Sequence, residues 1–142
     1  MEYKIYYFLI KFVVKPLWNS KCKIIHIIWK IFRVLFNFIF KVDIDPNAKI
    51  WKWVLFTHFI WIVIWESEIW KNCVIRQNVT IWRKTLNDKK YPIIWNNVQI
   101  WAWAIIIWDI KIWDNVQIWA WTIVLKDVPD NSIIVGNPWR IL

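Results

Sequence analysis

An aliphatic residue returns at every sixth position over much of the second half of the chain. Residues 94–111 also align without a gap with the residues from 112 onward, so the pattern repeats after 18 residues. Three hexads per repeat are typical of a parallel β-helix, whose triangular coils direct an aliphatic side chain inward from each side. The positions in this series are Ile94, Ile100, Ile106, Ile112, Ile118 and Val124.

The hexads start earlier in the chain, and the predicted solenoid therefore covers residues 42–142. Residues 82–93 contain no hexad and many charges, which predicts a loop that leaves the solenoid. The repeat ends at Val128-Pro129, and the last residues, SIIVGNPWRIL, are predicted to form a closing strand. The earlier positions are Ile44, Ile50 and Phe56 and, after one extra residue, Val63, Ile69, Ile75 and Ile81.

Residues 1–41 form an N-terminal arm, for which the apolar spacing predicts helices at 3–14 and 24–40. Pro16 lies between them and separates the two. In the second helix apolar residues recur at helical spacing, so one face is expected to be buried. His26 has no acidic neighbour and is interpreted as structural.

The net charge of +9 is concentrated in this arm. Residues 1–41 hold eight Lys/Arg against one acid, a net of +7, whereas residues 42–142 hold eleven against nine. No nucleic-acid-binding motif accompanies the basic residues, so nucleic acid is not expected as a partner. The interleaved Ile, Phe and Tyr favour an anionic membrane surface. The alternative is two helices packed on the solenoid end with their lysines in water.

The chain shows no targeting signal and no metal site. No signal peptide is evident, and no segment reaches the roughly 18 uncharged apolar residues that a membrane span needs. Cys22 and Cys73 are far apart and show no metal-binding or redox spacing. We interpret them as reduced thiols of a cytoplasmic protein, with Cys73 in the core.

Several segments of residues 40–142 together resemble the hexapeptide-repeat acyltransferases, and most closely the serine O-acetyltransferases and their short relatives. These segments are VDIDPNAKIWKW, THFIWIVIWE, IRQNVTIW, IIWNNVQIWAWAIIIW and KIWDNVQIWAWTIVLKDVPDNSIIVGNPWRI. The resemblance implies a left-handed β-helix, and thus an all-β solenoid with a short N-terminal helical arm.

Sixteen tryptophans and one glycine set the chain apart from that family, which has glycine at nearly every tryptophan of the repeat. Glycine turns a coil corner without strain, whereas a residue with a Cβ costs about 1–2 kcal/mol in left-handed backbone. Fourteen tryptophans lie between Trp51 and Trp139. If half of them occupy corners, the sum is on the order of 10 kcal/mol, comparable with the stability of a whole domain.

By the resemblance, the chain transfers an acetyl group to a hydroxyl, with His58 as the general base and Asp43 orienting its imidazole. Thr57 stands where the family has an aspartate that contacts the amino-acid substrate. Tyr91 stands where serine acetyltransferases have a second histidine. These departures leave the acceptor open between L-serine and a sugar hydroxyl.

Acetyl-CoA is the implied co-substrate, with no permanently bound cofactor. In the family it lies in a groove between adjacent solenoids of a homotrimer, along small residues of successive coils. With tryptophan at the neighbouring positions, this groove is expected to be filled. The residues that match the groove are Ala102 and Ala120, the adjacent column Ala104 and Thr122, and Lys126 and Arg140, which could meet the CoA phosphates.

Three functions are therefore weighed from the sequence. The first is a cytoplasmic serine O-acetyltransferase. The second is a sugar or polysaccharide O-acetyltransferase at the inner face of the membrane, held there by residues 1–41. The third is a non-catalytic solenoid that acts as a scaffold or binds glycans through stacked aromatic rings.

Two hypotheses explain the tryptophans, and the codons distinguish them. Some bacterial lineages decode UGA as glycine, and such a gene translated with UGA as tryptophan would produce this pattern. The composition agrees with an AT-rich gene, since Ile, Lys and Asn make up 55 of 142 residues and Ala only 4. Deliberate replacement of glycine is the other explanation. We expect UGA at the tryptophan positions and a natively expressed protein lighter than the printed sequence by intact mass. Sixteen UGG codons would refute the decoding hypothesis.

Overall fold

The computed structural model describes residues 23–58, 60–83 and 90–142. One α-helix, α1 (Lys23–Phe40), precedes the repeat in this part of the chain and confirms the predicted helix at 24–40. The predicted helix at 3–14, Cys22 and most of the predicted loop lie outside the described residues.

Fifteen short strands follow α1 among the described residues, most of them two residues long. They are β1 (Asp43–Ile44), β2 (Lys49–Ile50), β3 (Leu55–Phe56), β4 (Val63–Ile64), β5 (Glu68–Ile69), β6 (Val74–Ile75), β7 (Thr80–Trp82), β8 (Ile93–Ile94), β9 (Gln99–Ile100), β10 (Ile105–Ile107), β11 (Lys111–Ile112), β12 (Gln117–Ile118), β13 (Ile123–Val124), β14 (Ile133–Val135) and β15 (Arg140–Ile141).

Every third strand joins the same sheet, which is the topology of a three-sided solenoid. The first sheet has the order β1-β4-β7-β10-β13, the second β2-β5-β8-β11, and the third β3-β6-β9-β12-β14-β15. All pairs are parallel except β14 with β15, where the chain turns back on itself. The parallel β-helix predicted from the hexads is confirmed.

The register between coils follows the sequence repeat. Ile100 lies beside Ile118, and Ile106 beside Val124, at the predicted step of 18 residues. Across the predicted loop the step rises to 25, since Ile75 lies beside Ile100. The strands of all three sheets remain paired across this longer step.

The interior is a stack of aliphatic side chains. Nearly all hexad residues are buried, among them Ile69, Ile75 and Ile94. Each fully buried isoleucine stabilises the fold by about 1.5–3 kcal/mol relative to an exposed one. One prediction was wrong: the inward residue of β4 is Ile64, whereas Val63 is only half-buried, because the turn before β4 is one residue longer than the spacing indicated.

A second inward position lies two residues before each hexad residue, because side chains of a strand alternate between its faces. Cys73 holds this position before Ile75 and is fully buried, as predicted. Burial raises the pKa of its thiol to about 12. A thiol with this pKa stays protonated near neutral pH, so Cys73 acts as a small core residue.

The coil corners require left-handed backbone. Asparagine supplies it with φ between 57° and 59° at Asn72, Asn78, Asn97, Asn115 and Asn131. Asparagine tolerates this conformation better than other residues that carry a side chain. Four of these asparagines also form a ladder along one edge: Asn72 donates to Asn97 at 3.2 Å, Asn97 to Asn115 at 3.1 Å and Asn115 to Asn131 at 3.0 Å.

Only some tryptophans occupy such corners. Among the described residues Trp53, Trp61, Trp103, Trp108 and Trp121 have φ between 55° and 84°. These five cost about 5–10 kcal/mol in backbone strain. The other tryptophans of the repeat have ordinary backbone, so fewer than half of the fourteen carry the expected penalty.

Indoles of successive coils stack in columns on the outside. The longest column joins Trp51, Trp70, Trp95 and Trp113, with ring centroids 5.0, 4.7 and 5.6 Å apart. These separations are favourable for aromatic pairs, so the crowding of neighbouring indoles is relieved by stacking. The indoles carry a different energetic cost, which is the burial of N–H groups without an acceptor. Five indole N–H groups are buried without an acceptor among the described residues, and each costs about 1–3 kcal/mol. They belong to Trp65, Trp70, Trp95, Trp101 and Trp139.

The apolar face of α1 is exposed, and the prediction that it is buried was wrong. Seven large side chains on this face are between 55% and 71% exposed. Helical spacing shows that a helix has an apolar face, but not that another element covers it. The residues are Ile24, Ile27, Ile28, Ile31, Val34, Leu35 and Phe38. No helix in the described part of the chain has the length and hydropathy needed to cross a membrane.

Paired glycine and alanine substitutions distinguish a corner tryptophan from an ordinary one. Trp103 has a φ of 66°, so we expect Trp103→Gly to be more stable than Trp103→Ala by about 1 kcal/mol, because glycine adopts this backbone freely. Trp101 has ordinary backbone, so there Trp101→Ala should be more stable than Trp101→Gly by about 0.5–1 kcal/mol. Urea unfolding measures both differences, and the same order at both positions would contradict this assignment of corners.

Candidate active site

His58 lies in the turn between the third and the first sheet, just after β3. Its φ is 56°, and its side chain is exposed. The turn is tight, since the backbone N–H of Ile60 donates to the carbonyl of His58 at 2.7 Å. A left-handed histidine costs about 1 kcal/mol or more, like the other coil corners that carry a side chain.

A groove of about 520 Å³ lies beside His58. Its walls come from successive coils: Thr57 and His58, then Arg76 and Gln77, then Trp101 with Ala102, and finally Ala120. Trp101 contributes the one indole among these lining residues, and it leaves the groove beside His58 open. A volume of this size is in the range of small-molecule sites.

Three residues that line the groove each have a buried polar atom without a hydrogen-bond partner among the described residues. Thr57 Oγ1, Gln77 Oε1 and Trp101 Nε1 are buried and have no hydrogen-bond partner among the described residues. Most buried polar side-chain atoms in proteins are paired. An unpaired threonine hydroxyl, amide oxygen and indole N–H among the lining residues are therefore unusual.

Asp43 and His58 lie at the start and at the end of the same coil. It belongs to β1, which pairs with β4, and His58 lies in the turn that leads into β4. The backbone N–H of Asp43 donates to the carbonyl of Ile62 at 2.9 Å, and its side chain is half-buried. Asp43 thus belongs to the first strand of the first coil, and His58 follows the last strand of that coil.

The small residues predicted to line the groove divide into two groups. Ala102 and Ala120 lie on its wall. Ala104 and Thr122 are completely buried, and Thr122 Oγ1 accepts a hydrogen bond of 3.2 Å from the backbone N–H of Gly136. Their side chains face the core, because each lies two residues before an inward hexad residue. The assignment of these two side chains to the cofactor groove is thus corrected.

The predicted phosphate ligands lie at the end of the repeat and do not line the groove. Lys126 is exposed, with Nζ 4.9 Å from the ring centre of Trp139. Arg140 is exposed in β15, where it pairs with Val135. Both side chains are accessible to a ligand that extends along the surface.

Tyr91 lies apart from the groove, before β8 of the second sheet. Its hydroxyl accepts a hydrogen bond from Lys49 Nζ at 2.8 Å. Lys49 also approaches Glu68, with Nζ 3.5 Å from Oε2. The hydrogen bond to Tyr91 is the main cause that raises the pKa of Lys49. Within this chain, Tyr91 and His58 therefore do not meet.

The sequence analysis did not identify Arg76 and Gln77 as residues of the groove, although their positions in the repeat indicate it. They hold the first and second positions after the hexad residue Ile75. Thr57 and His58 hold the same positions after Phe56, and Ala102 and Ala120 hold the second position after Ile100 and Ile118. Because these hexad residues belong to β3, β6, β9 and β12 of one sheet, the residues that follow them must line one edge.

No family model matches the chain. Among known proteins, a probable serine acetyltransferase of rice is 42% identical over 107 residues, which is 73% of this chain and 35% of that protein. The serine acetyltransferase of Staphylococcus aureus is 37% identical over 108 residues, or 71% of this chain and 48% of that protein. The chain thus spans between a third and a half of the length of these relatives.

Solved structures agree with the sequence relatives. Soybean serine acetyltransferase complexed with serine superposes with a TM-score of 0.79 at 31% identity, over 92% of this chain and 53% of that one. Serine acetyltransferase of Brucella abortus in complex with coenzyme A gives a TM-score of 0.75 at 28% identity, over 81% and 47%. Fold, repeat and sequence therefore agree, and the chain is a serine-acetyltransferase-like member of the hexapeptide-repeat acyltransferases with a left-handed β-helix.

Proposed function

We propose that the protein transfers the acetyl group of acetyl-CoA to a hydroxyl of a small acceptor, with L-serine as the first candidate. The observation that carries this proposal is the groove that runs from His58 along the small residues of successive coils. Solved relatives of this fold hold serine and coenzyme A. Acetyl-CoA is a co-substrate here, and no permanently bound cofactor is invoked.

His58 is the proposed general base. The imidazole removes the acceptor's hydroxyl proton while the oxygen attacks the thioester carbonyl. The tetrahedral oxyanion then expels the CoA thiolate, which takes the proton from the imidazolium, so that the acetyl ester, CoA and neutral His58 result. Asp43 is the proposed positioning residue, since a carboxylate on the other ring nitrogen fixes the tautomer and stabilises the imidazolium.

The donor is proposed to lie along Ala102 and Ala120, with its phosphates towards Lys126 and Arg140. Small side chains allow a ligand to lie close to the coil, and the two cations suit phosphate as point charge and fork. By the resemblance to the family, the groove is completed by the neighbouring solenoid of a homotrimer. Thr57 is the proposed hydrogen-bonding partner of the acceptor. Tyr91 would reach an acceptor only from a neighbouring solenoid.

Replacement of His58 tests the reaction. His58→Ala is expected to lower kcat by about 10²–10⁴-fold, because the proton transfer loses its base. The rate of CoA release with L-serine, and with nucleotide-linked sugars as alternative acceptors, measures this. His26→Ala in α1 is the control of the same residue type and should keep the activity. Activity of His58→Ala equal to that of the parent, with the fold unchanged by circular dichroism, would refute the proposed base.

We also propose peripheral contact of the arm with an anionic membrane surface, at the cytoplasmic face where acetyl-CoA is available. The seven exposed apolar side chains of α1 support this, as does the absence of acidic residues from its 18 residues, which include Lys23, Lys30 and Arg33. A helix with these properties lies in the interface and does not cross it.

Vesicle co-sedimentation tests this contact. We expect binding to vesicles with anionic lipid, weaker binding to neutral vesicles, and a loss of binding at high salt as the charges are screened. The double variant Ile27→Ser/Ile31→Ser should bind less, while Ile60→Ser, at an exposed position outside α1, should bind as the parent does. Absence of binding to anionic vesicles would show that lipid does not cover this face. So would self-association of the protein that depends on its concentration and that Ile27→Ser/Ile31→Ser abolishes.

A further inference from the structure

The groove beside His58 has a positive character. Of the residues that line it, Arg76 alone carries a full charge at neutral pH whatever the state of His58, and no carboxylate is among them. Thr57, which stands where the family has an aspartate, contributes a neutral hydroxyl. This wall therefore favours an anionic group in the ligand.

Arg76 is held in place without using its hydrogen-bonding capacity. Its guanidinium carbon lies 3.3 Å from the ring centre of Trp101, and its backbone N–H donates to the carbonyl of Ile100 at 3.1 Å. Within the described residues, no acceptor pairs with its guanidinium N–H groups. Arg83 differs, since it pairs with Glu66. A half-buried, stacked guanidinium with free donors is pre-organised for a planar anion.

The register places Arg76 next to the catalytic turn. Ile75 lies beside Phe56 in the third sheet, and the N–H of Thr57 donates to the carbonyl of Ile75. Arg76 therefore lies beside Thr57, one strand spacing of about 4.8 Å away, and His58 follows directly in the chain. A ligand group bound to Arg76 belongs to a molecule whose hydroxyl is close to His58.

We infer that Arg76 binds the carboxylate of the acceptor and thereby selects amino-acid hydroxyls over neutral sugars. This inference rests on the proposed acetyl transfer. In 2-amino-3-hydroxy acids only two carbons separate the hydroxyl from the carboxylate carbon, which suits the short distance between the two residues. The phosphates of CoA are separated from its thioester by the whole pantetheine arm, so they do not fit the same position when the thioester is at His58.

The test compares L-serine with L-serinamide, which keeps the hydroxyl and the amino group but has no carboxylate. Arg76→Gln is expected to raise the KM for L-serine by about 10- to 100-fold, as for a lost hydrogen-bonded charge pair. The KM values for L-serinamide and for acetyl-CoA should change less than about twofold. Arg76→Lys should restore part of the affinity, since it keeps the charge without the bidentate fork. Arg83→Gln is the arginine control and should leave the KM for L-serine unchanged.

Equilibrium binding separates failure of this inference from failure of the proposed reaction. Calorimetry with the His58→Ala protein should detect L-serine binding that His58→Ala/Arg76→Gln loses, whether or not the parent turns over. An equal rise of KM for L-serine and L-serinamide would overturn the inference, and so would a rise of KM for acetyl-CoA alone, which would assign Arg76 to phosphate. Equal binding of L-serine by His58→Ala and by His58→Ala/Arg76→Gln would overturn the inference as well.

Discussion

The structure depends on a backbone that turns through left-handed conformations at the corners of each coil. In a three-sided coil with strands of two residues, single residues turn the chain from one sheet to the next at most corners. Asn97 and Asn115 do this at φ values of 59° and 58°. Their side-chain amides also pair from coil to coil, so each corner stabilises the next. The corners hold the three sheets in register, and the aliphatic interior stacks only because this register holds.

Tryptophans at the coil corners conflict with this constraint on the backbone. Five of them adopt the left-handed backbone that glycine adopts freely, and the stacked columns on the outside leave several indole N–H groups buried and unpaired. Stacking offsets part of this cost, but it does not remove backbone strain. At these five corners the coil has the backbone that glycine adopts freely, although the residues there are tryptophans. This is the physical reason why glycine suits the five left-handed positions better than tryptophan does.

The same coil geometry builds the groove beside His58. A residue at a given offset from a hexad position recurs along one edge of the solenoid, coil after coil. The offset that carries Thr57 and His58 also carries Arg76, Gln77 and the small residues Ala102 and Ala120. His58, Arg76 and the small residues of the groove therefore lie in one line, with no need for loops to bring them together.

The sequence alone determined the solenoid, the helix before it, the inward position of Cys73 and the small residues along the groove, because a strict hexad repeat encodes its own register. Only the tertiary structure decided which residues face the core and which the groove. Ala104 and Thr122 belong to the core, and Arg76 to the groove, because the alternation of faces within a strand has a shorter period than the repeat. It also decided that α1 leaves its apolar face uncovered. Amphipathic spacing and side-chain size describe one segment at a time, whereas burial depends on which other segments pack against it.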